Sequence, residues 1–353
     1  MKKRMIGLAL LVVIMLVIGG IYMAVGRTPQ VITVDGYVGG EKIELLEDEE
    51  VQAILEEDYG VKADYSRAGS LDMMTADMDE MDYLFPSSSI AGEYYEDLHG
   101  SPEQSEIVLN TPIVLYTHRA VLDAFDSQEL ISSSGNSYYI DMTKLVELIQ
   151  NDTSWSDIGL PELYGNISVD TTDPARSNSG NMFAALLANV LNGGQTLTQE
   201  NLQTILPQLQ DIFGKLGYME TSSSDLFSQF LRMGIGAKPV IAGYESQLIE
   251  YAALYPDQYE TMKDDIVMLY PTPTVWSTHV FIALDADGQV LLNGLLDEDI
   301  QRLAWEKHGF RTGNYATVSE SSSLNARGVA DTITQVTQVP SYDVMKVIIE
   351  QLQ

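Results

Sequence analysis

The sequence contains no cysteine, which excludes disulfides, thiolate metal sites, a cysteine nucleophile and attachment through a lipidated cysteine. Basic residues are scarce: 19 Lys and Arg stand against 51 Asp and Glu, a formal charge of -32. A field of that sign repels nucleic acid and anionic headgroups, so nucleic acid is excluded as a partner, and an anionic ligand must be held by local donors. Histidine is equally sparse. His99, His118, His279 and His308 lie far apart in sequence without an HExxH or other close ligand pair, so nothing calls for a metal or a cofactor. "SNSG" lacks the GxSxG form of a nucleophile elbow and "GIGAKP" lacks the spacing of a phosphate-binding loop. "DADG" at 285–288 has its glycine too early for a calcium loop and reads as a hairpin turn. These absences point away from an enzyme. Repeats of solenoid length are missing too.

What the chain does have is apolar content. With 353 residues, 45% of them hydrophobic, it can bury a sizeable core in about two domains. Met5 to Gly26 are almost wholly apolar and follow Lys2, Lys3 and Arg4. Roughly 20 such residues cross a bilayer, so residues 1–30 are expected to form one N-terminal transmembrane helix and its stem. The basic cluster should stay in the cytoplasm, leaving the folded part at the extracellular face of a bacterial membrane. Ala24 and Gly26 are spaced like a cleavage site, so export after signal cleavage is the alternative.

Beyond the stem, strand and helix patterns alternate. "VITVDGYVG" and "VKADYS" read as strands around an acidic helix, "EKIELLEDEEVQAILEEDYG". "MDYLFP" precedes a helix at "SSSIAGEYYEDL"; "EIVLNTPIVLYT" precedes one at "RAVLDAF". "GNISVD" leads to "DPARSNSGNMFAALLANVLNGG", in which Met182, Phe183, Leu186, Leu187, Val190 and Leu191 mark a helix face. Later come the strand "KPVIA" with a helix at "SQLIEYAALYP", and the broken strand "DIVMLYPTPTVWSTHVFIAL". The alternation predicts an α/β protein with mostly parallel sheets, whose ligands sit beyond the carboxyl ends of the strands.

Three such strand-to-helix junctions carry related residues. Arg67 precedes Ser70 in "RAGSLDMM", Arg176 precedes Ser177 and Ser179 in "RSNSGNMF", and Tyr244 opens "GYESQLIE". Hydroxyls and free N–H groups at helix starts make anion sites, and arginine adds a bidentate partner. Each alone is better explained without a ligand: the serines as caps, the arginines as surface partners of abundant acids, Tyr244 as packing. Ser87 and Ser88 follow "DYLFP", where a turn is expected, and His279 starts an apolar strand.

Taken in order, "RAGSLDMM", "DYLFPSSS", "TPIVLYTHRAVLDAF", "DTTDPARSNSGNMFAALL", "KPVIAGYESQL", "YPTPTVWSTHVFIAL" and "LLDEDIQRLAWEKHGFRTG" resemble the type 2 periplasmic-binding-protein family, the extracellular solute-binding proteins of ABC transporters, molybdate-type binders above all. The resemblance spans roughly residues 31 to 315. It implies a two-lobed fold joined by hinge strands: lobe 1 from 31–114 plus 273–353, lobe 2 from 115–272. It also implies that Ser70, Ser87 and Ser88 face Ser177, Ser179 and Tyr244 across a cleft. His279, Arg67 and Arg176 complete the candidate ligand-binding set. Family members that bind molybdate or sulfate use neutral donors without arginine, so the two arginines depart from the pattern. The function implied is capture of a small anionic ligand and delivery to an ABC permease. A tethered sensor or envelope-complex subunit of the same fold, and a serine hydrolase with His279 or His118 as base, are the alternatives.

Overall fold

The computed structural model describes residues 31–312 and 321–352. The anchor expected over 1–30 lies outside them. No helix among the described residues is long and apolar enough to cross a membrane.

In chain order the elements are β1 (Ile32–Val38), α1 (Ile43–Glu47), α2 (Glu49–Ile54), β2 (Val61–Arg67), β3 (Tyr83–Phe85), α3 (Ser89–His99), β4 (Gln104–His118), α4 (Arg119–Ser127), β5 (Ile131–Ser134), β6 (Ser137–Asp141) and α5 (Met142–Gln150). They continue with α6 (Asn178–Leu191), α7 (Gln199–Gly214), α8 (Ser223–Met233), β7 (Val240–Tyr244), α9 (Glu245–Leu254), α10 (Pro256–Met262), β8 (Ile266–Thr272), β9 (Trp276–Ala283), α11 (Ala286–Leu295), α12 (Glu298–Glu306), β10 (Arg311–Thr312) and α13 (Tyr342–Gln351).

One strand unites the architecture. β4 runs for 15 residues, and Gln104 to Pro112 pair with β9 while Ile113 to His118 pair with β7 and β8. Its first part belongs to a half-sheet with β2, β1, β3, β9 and β10; its second part belongs to another with β7, β8, β6 and β5. Among the named strands, parallel pairing joins β1 with β2 and β3, and β6 with β8, with isolated parallel bridges such as Asp170 to Ile241 beside them. The expectation of mostly parallel sheets is therefore corrected: a strand shared by two halves is met by returning strands, which pair with it antiparallel.

Each half-sheet is covered on both faces. In the first half, Val34, Val38, Phe85, Phe281 and Leu303 fill one face and Met73, Met74, Leu84 and Ile282 the other. In the second, Ile113, Phe125, Leu145, Phe183 and Leu209 fill one face and Tyr116, Phe230, Leu248 and Tyr270 the other. The α6 helix is buried from Ser179 to Val190, because Ala184, Ala185 and Ala188 make even its second face small and apolar.

Three local expectations change. The acidic segment after β1 is not one helix: Asp48 interrupts it and caps α2, accepting from the Glu50 and Val51 amides. "DADG" is not a hairpin, since Asp285 caps α11 through the Asp287 and Gly288 amides. Residues 321–352, grouped by sequence with the first lobe, pack largely against the second half. Val344, Met345, Ile348 and Ile349 join the core of α6 and α7, and Ala326 and Val329 join that of Tyr116 and Tyr270. An apolar helix face finds its cover where α6 and α7 are open. The same helix reaches the first half through Tyr342, whose ring stacks on Tyr94 at 4.4 Å and whose amide donates to Glu93.

Candidate functional site

The turn leaving β1 carries Gly39, Gly40, Glu41 and Lys42, and it folds inward where a helix start would normally be solvated. Lys42 is fully buried. Its Nζ donates to Glu41 Oε1 at 2.6 Å and Ser87 Oγ at 2.7 Å, and meets His279 Nδ1 at 3.1 Å. The ammonium also lies over the Phe85 ring, 4.9 Å from its centre. Burial pulls the Lys42 pKa below its ordinary value, against the raising effect of Glu41. His279, fully buried on β9, is held well below the ordinary imidazole value by burial and then by the Lys42 charge. It is therefore neutral, accepting at Nδ1 and leaving Nε2 without a hydrogen-bond partner.

Ser87 links this cluster to the rest. Its amide donates to Ser70 Oγ at 2.9 Å, its hydroxyl makes a short bond to Glu41 Oε1, and its carbonyl accepts from Ser277 Oγ at 2.6 Å. The same carbonyl accepts from Asn178 Nδ2 at 2.8 Å, across the two halves. Asn178 also lies 3.0 Å from Tyr244 Oη and 3.1 Å from Ser277 Oγ. Behind it, Ser179 Oγ meets Thr172 Oγ1 at 2.7 Å and Ser177 Oγ at 3.1 Å. The Tyr244 hydroxyl is raised well above the ordinary phenol range by burial first and by the Glu41 carboxylate second.

Of the residues expected from sequence, Ser70, Ser87, Ser177, Ser179, Tyr244 and His279 fall in one connected network. Ser88 is buried beside it with its hydroxyl unpartnered. The arginines do not enter the network. Arg67 is exposed, lies against Gly40 and donates to Ser222 Oγ at 3.0 Å, tying the first half to the α8 cap. Arg176 is exposed on the loop before α6. Ser179 is not the cap of α6: Ser177 occupies that position and Ser179 turns inward to Thr172. His118 lies elsewhere, its Nδ1 2.8 Å from Asp265.

Sequence reading missed Glu41, Lys42, Asn178 and Ser277. A signal existed for two of them. The glycine pair at the carboxyl end of β1 marks the junction where ligands of α/β folds are sought, and Ser277 stands two residues before His279, on the same strand face. Lys42 was hidden by the acids that follow it. Among the described residues no group of three or more acidic or histidine side chains could hold a metal ion.

This two-half architecture has solved counterparts. The sulfate-binding protein SubI from Mycobacterium tuberculosis is 13% identical, with a TM-score of 0.55 over 89% of this chain and 95% of its own. The substrate-binding protein of an ABC transporter from Agrobacterium tumefaciens is 13% identical, with a TM-score of 0.57 over 93% and 96%. The apo ferric ion-binding protein A of Pasteurella haemolytica is 12% identical, with a TM-score of 0.57 over 91% and 97%. No family model matches the sequence, and no curated protein matches it. The chain thus shares the fold of these binding proteins. At these identities the likeness establishes fold, and ligand and role rest on the site.

Proposed function

We propose that the protein is an extracellular solute-binding protein that closes two lobes, residues 31–114 with 273–312 and residues 115–272, on a small anionic ligand and delivers it to an ABC permease. The observation that carries this reading is Asn178, whose amide reaches Ser87 and Ser277 of the first lobe and Tyr244 of its own. A side chain bridging both lobes ties the ligand site to lobe closure. Lys42 supplies a desolvated cation, and Ser70, Ser87, Ser177, Ser179 and Tyr244 supply neutral donors, so an anion would be held locally within a strongly acidic molecule. The apolar run Met5–Gly26 supports tethering or export at the membrane.

A thermal-shift screen of the full chain in detergent against oxyanions, carboxylates, sugars and peptides tests the reading. A solute at a hundredfold excess over its dissociation constant adds about 2.7 kcal/mol of stability. Stabilisation by anions is expected; stabilisation only by neutral sugars or peptides removes the anion, and none by any solute removes the binding role. The same site serves a sensor or envelope subunit equally well; finding a permease and ATPase encoded beside the gene would favour transport, and finding none would favour that alternative. A hydrolase is disfavoured because Ser179 pairs with hydroxyls and His279 Nδ1 faces Lys42, so neither arrangement activates a nucleophile.

A further inference from the structure

We propose that Glu41 is an internal competitor for the solute: its carboxylate holds the position on Lys42 and Ser87 that a small monocarboxylate takes over. This rests on the solute-binding reading and narrows its ligand class. A buried ammonium needs a counter-charge, and Lys42 finds one in the residue beside it. Adjacent residues on a helical turn do not face each other, so both side chains must curl inward to meet. The two are not equally committed. The Lys42 side chain is 0% exposed, whereas that of Glu41 is 11% exposed and lies on the outer side.

The backbone packs directly against the carboxylate and its partners. A Cβ on Gly39 would fall 2.4 Å from Glu41 Oε1, 2.7 Å from Ser87 Oγ and 2.9 Å from Lys42 Nζ, so only glycine lets these three atoms gather against the turn. Glu41 can swing outward on the turn while Lys42 remains fixed by Ser87, His279 and the Phe85 ring. The exchange replaces one carboxylate with another and leaves the local charge unchanged. A dianion would bring a second charge into a network whose remaining named donors, Ser87, Asn178, Ser277 and Tyr244, are neutral.

The test is calorimetric and thermal-shift titration of the full chain and its Glu41→Gln, Glu41→Ala and Lys42→Met variants with sodium acetate, sodium sulfate and ethanolamine. Glu41→Gln keeps the side-chain volume, so a gain there is not the filling of a new cavity. Acetate is expected to bind both Glu41 variants at least about tenfold more tightly than the parent, a difference of 1.4 kcal/mol, and to lose its effect in Lys42→Met. Equal acetate affinity in the parent and the Glu41 variants overturns the proposal. So does ethanolamine that binds the parent and not Glu41→Ala, because the carboxylate would then recognise a cation. Sulfate binding the parent and both Glu41 variants alike, without an acetate response, overturns the competitor and leaves solute binding standing. No response to any solute, including those of the wider screen, fells both.

Discussion

Arg311 holds Glu245 in a two-pronged ion pair, with Nε 2.7 Å from Oε2 and Nη2 2.8 Å from Oε1, and the carboxylate is fully buried. Arg311 lies on β10, beside the first part of β4; Glu245 opens α9 in the second half. The pair thus pins the two halves together close to their shared strand. Tyr270 adds a third bond by donating its hydroxyl to Glu245 Oε1, and that same oxygen of Tyr270 accepts from the Ala330 amide. The Ala330 carbonyl in turn accepts from Arg311 Nη2 at 2.6 Å.

Removing one member of this pair leaves the other charge buried alone, which costs about 3–5 kcal/mol. Arg311→Met should therefore lower the denaturation midpoint sharply, and Arg311→Met with Glu245→Leu should recover part of the loss. Urea unfolding of both variants decides it. A double variant no more stable than the single one would mean that packing, not the stranded carboxylate, dominates.

The Asn178 amide has two hydrogens and three acceptors within 3.1 Å, namely Ser87 O, Tyr244 Oη and Ser277 Oγ. Two hydrogens therefore serve three acceptors, one of them shared between two in a three-centre bond. Asn178→Ala removes the bridge between lobes, worth about 1 kcal/mol for each hydrogen bond lost. The radius of gyration from small-angle scattering should rise, and affinity for the solute found by the screen should fall about tenfold, matching 1.4 kcal/mol. An unchanged radius would show that Arg311 and Glu245, not Asn178, set the degree of closure.

Much of this was legible where local signals and tertiary placement agree. The "DPARSNSGNMF" stretch, the Tyr244 junction and the Ser87 turn all sit at the carboxyl ends of strands or strand-like segments, and they meet through the Asn178 amide, which donates to the Ser87 carbonyl and the Tyr244 hydroxyl. Failure came where a side chain reverses its usual preference. Lys42 opens an acidic segment and by composition belongs in water, yet the glycine pair before it turns it into the core. Arg67 at the end of β2 and Arg176 on the loop before α6 have the chemistry of anion contacts, and both side chains lie exposed outside the hydrogen-bonded network. Strand direction failed for a topological reason: no periodicity reveals that β4 serves two half-sheets.

Gly180 sits in the first turn of α6 with its Cα pressed against the strand-like segment before it. A Cβ there would come 2.1 Å from the Thr172 carbonyl oxygen. Alanine is the better helix former by about 1 kcal/mol, but a clash with backbone costs about 1–3 kcal/mol, so the clash should win. Gly180→Ala is expected to lower the thermal midpoint and, by shifting Asn178 and Ser179, to weaken solute binding as well. A rise in midpoint would show that the Thr172 segment yields easily.

The pH dependence of stability should carry a signature of His279. Its native pKa lies well below 6.5, through burial and then the Lys42 charge, so below about pH 6.5 the unfolded chain takes up a proton that the native chain refuses. Its contribution is complete above that pH and is lost as pH falls, by up to about 1.4 kcal/mol per unit. Lys42 acts with the same sign higher up: its lowered native pKa makes stability rise with pH across the window between that value and 10.5. His279→Gln keeps an acceptor for Lys42 and removes the titration. Between pH 7.5 and pH 5.0 the parent should lose more stability than the variant in urea unfolding, with a ceiling of about 2 kcal/mol set by the span from 6.5 to 5.0 and that slope. Equal losses would mean that the ring takes up a proton in the folded protein and that its unpartnered Nε2 is not sealed from water.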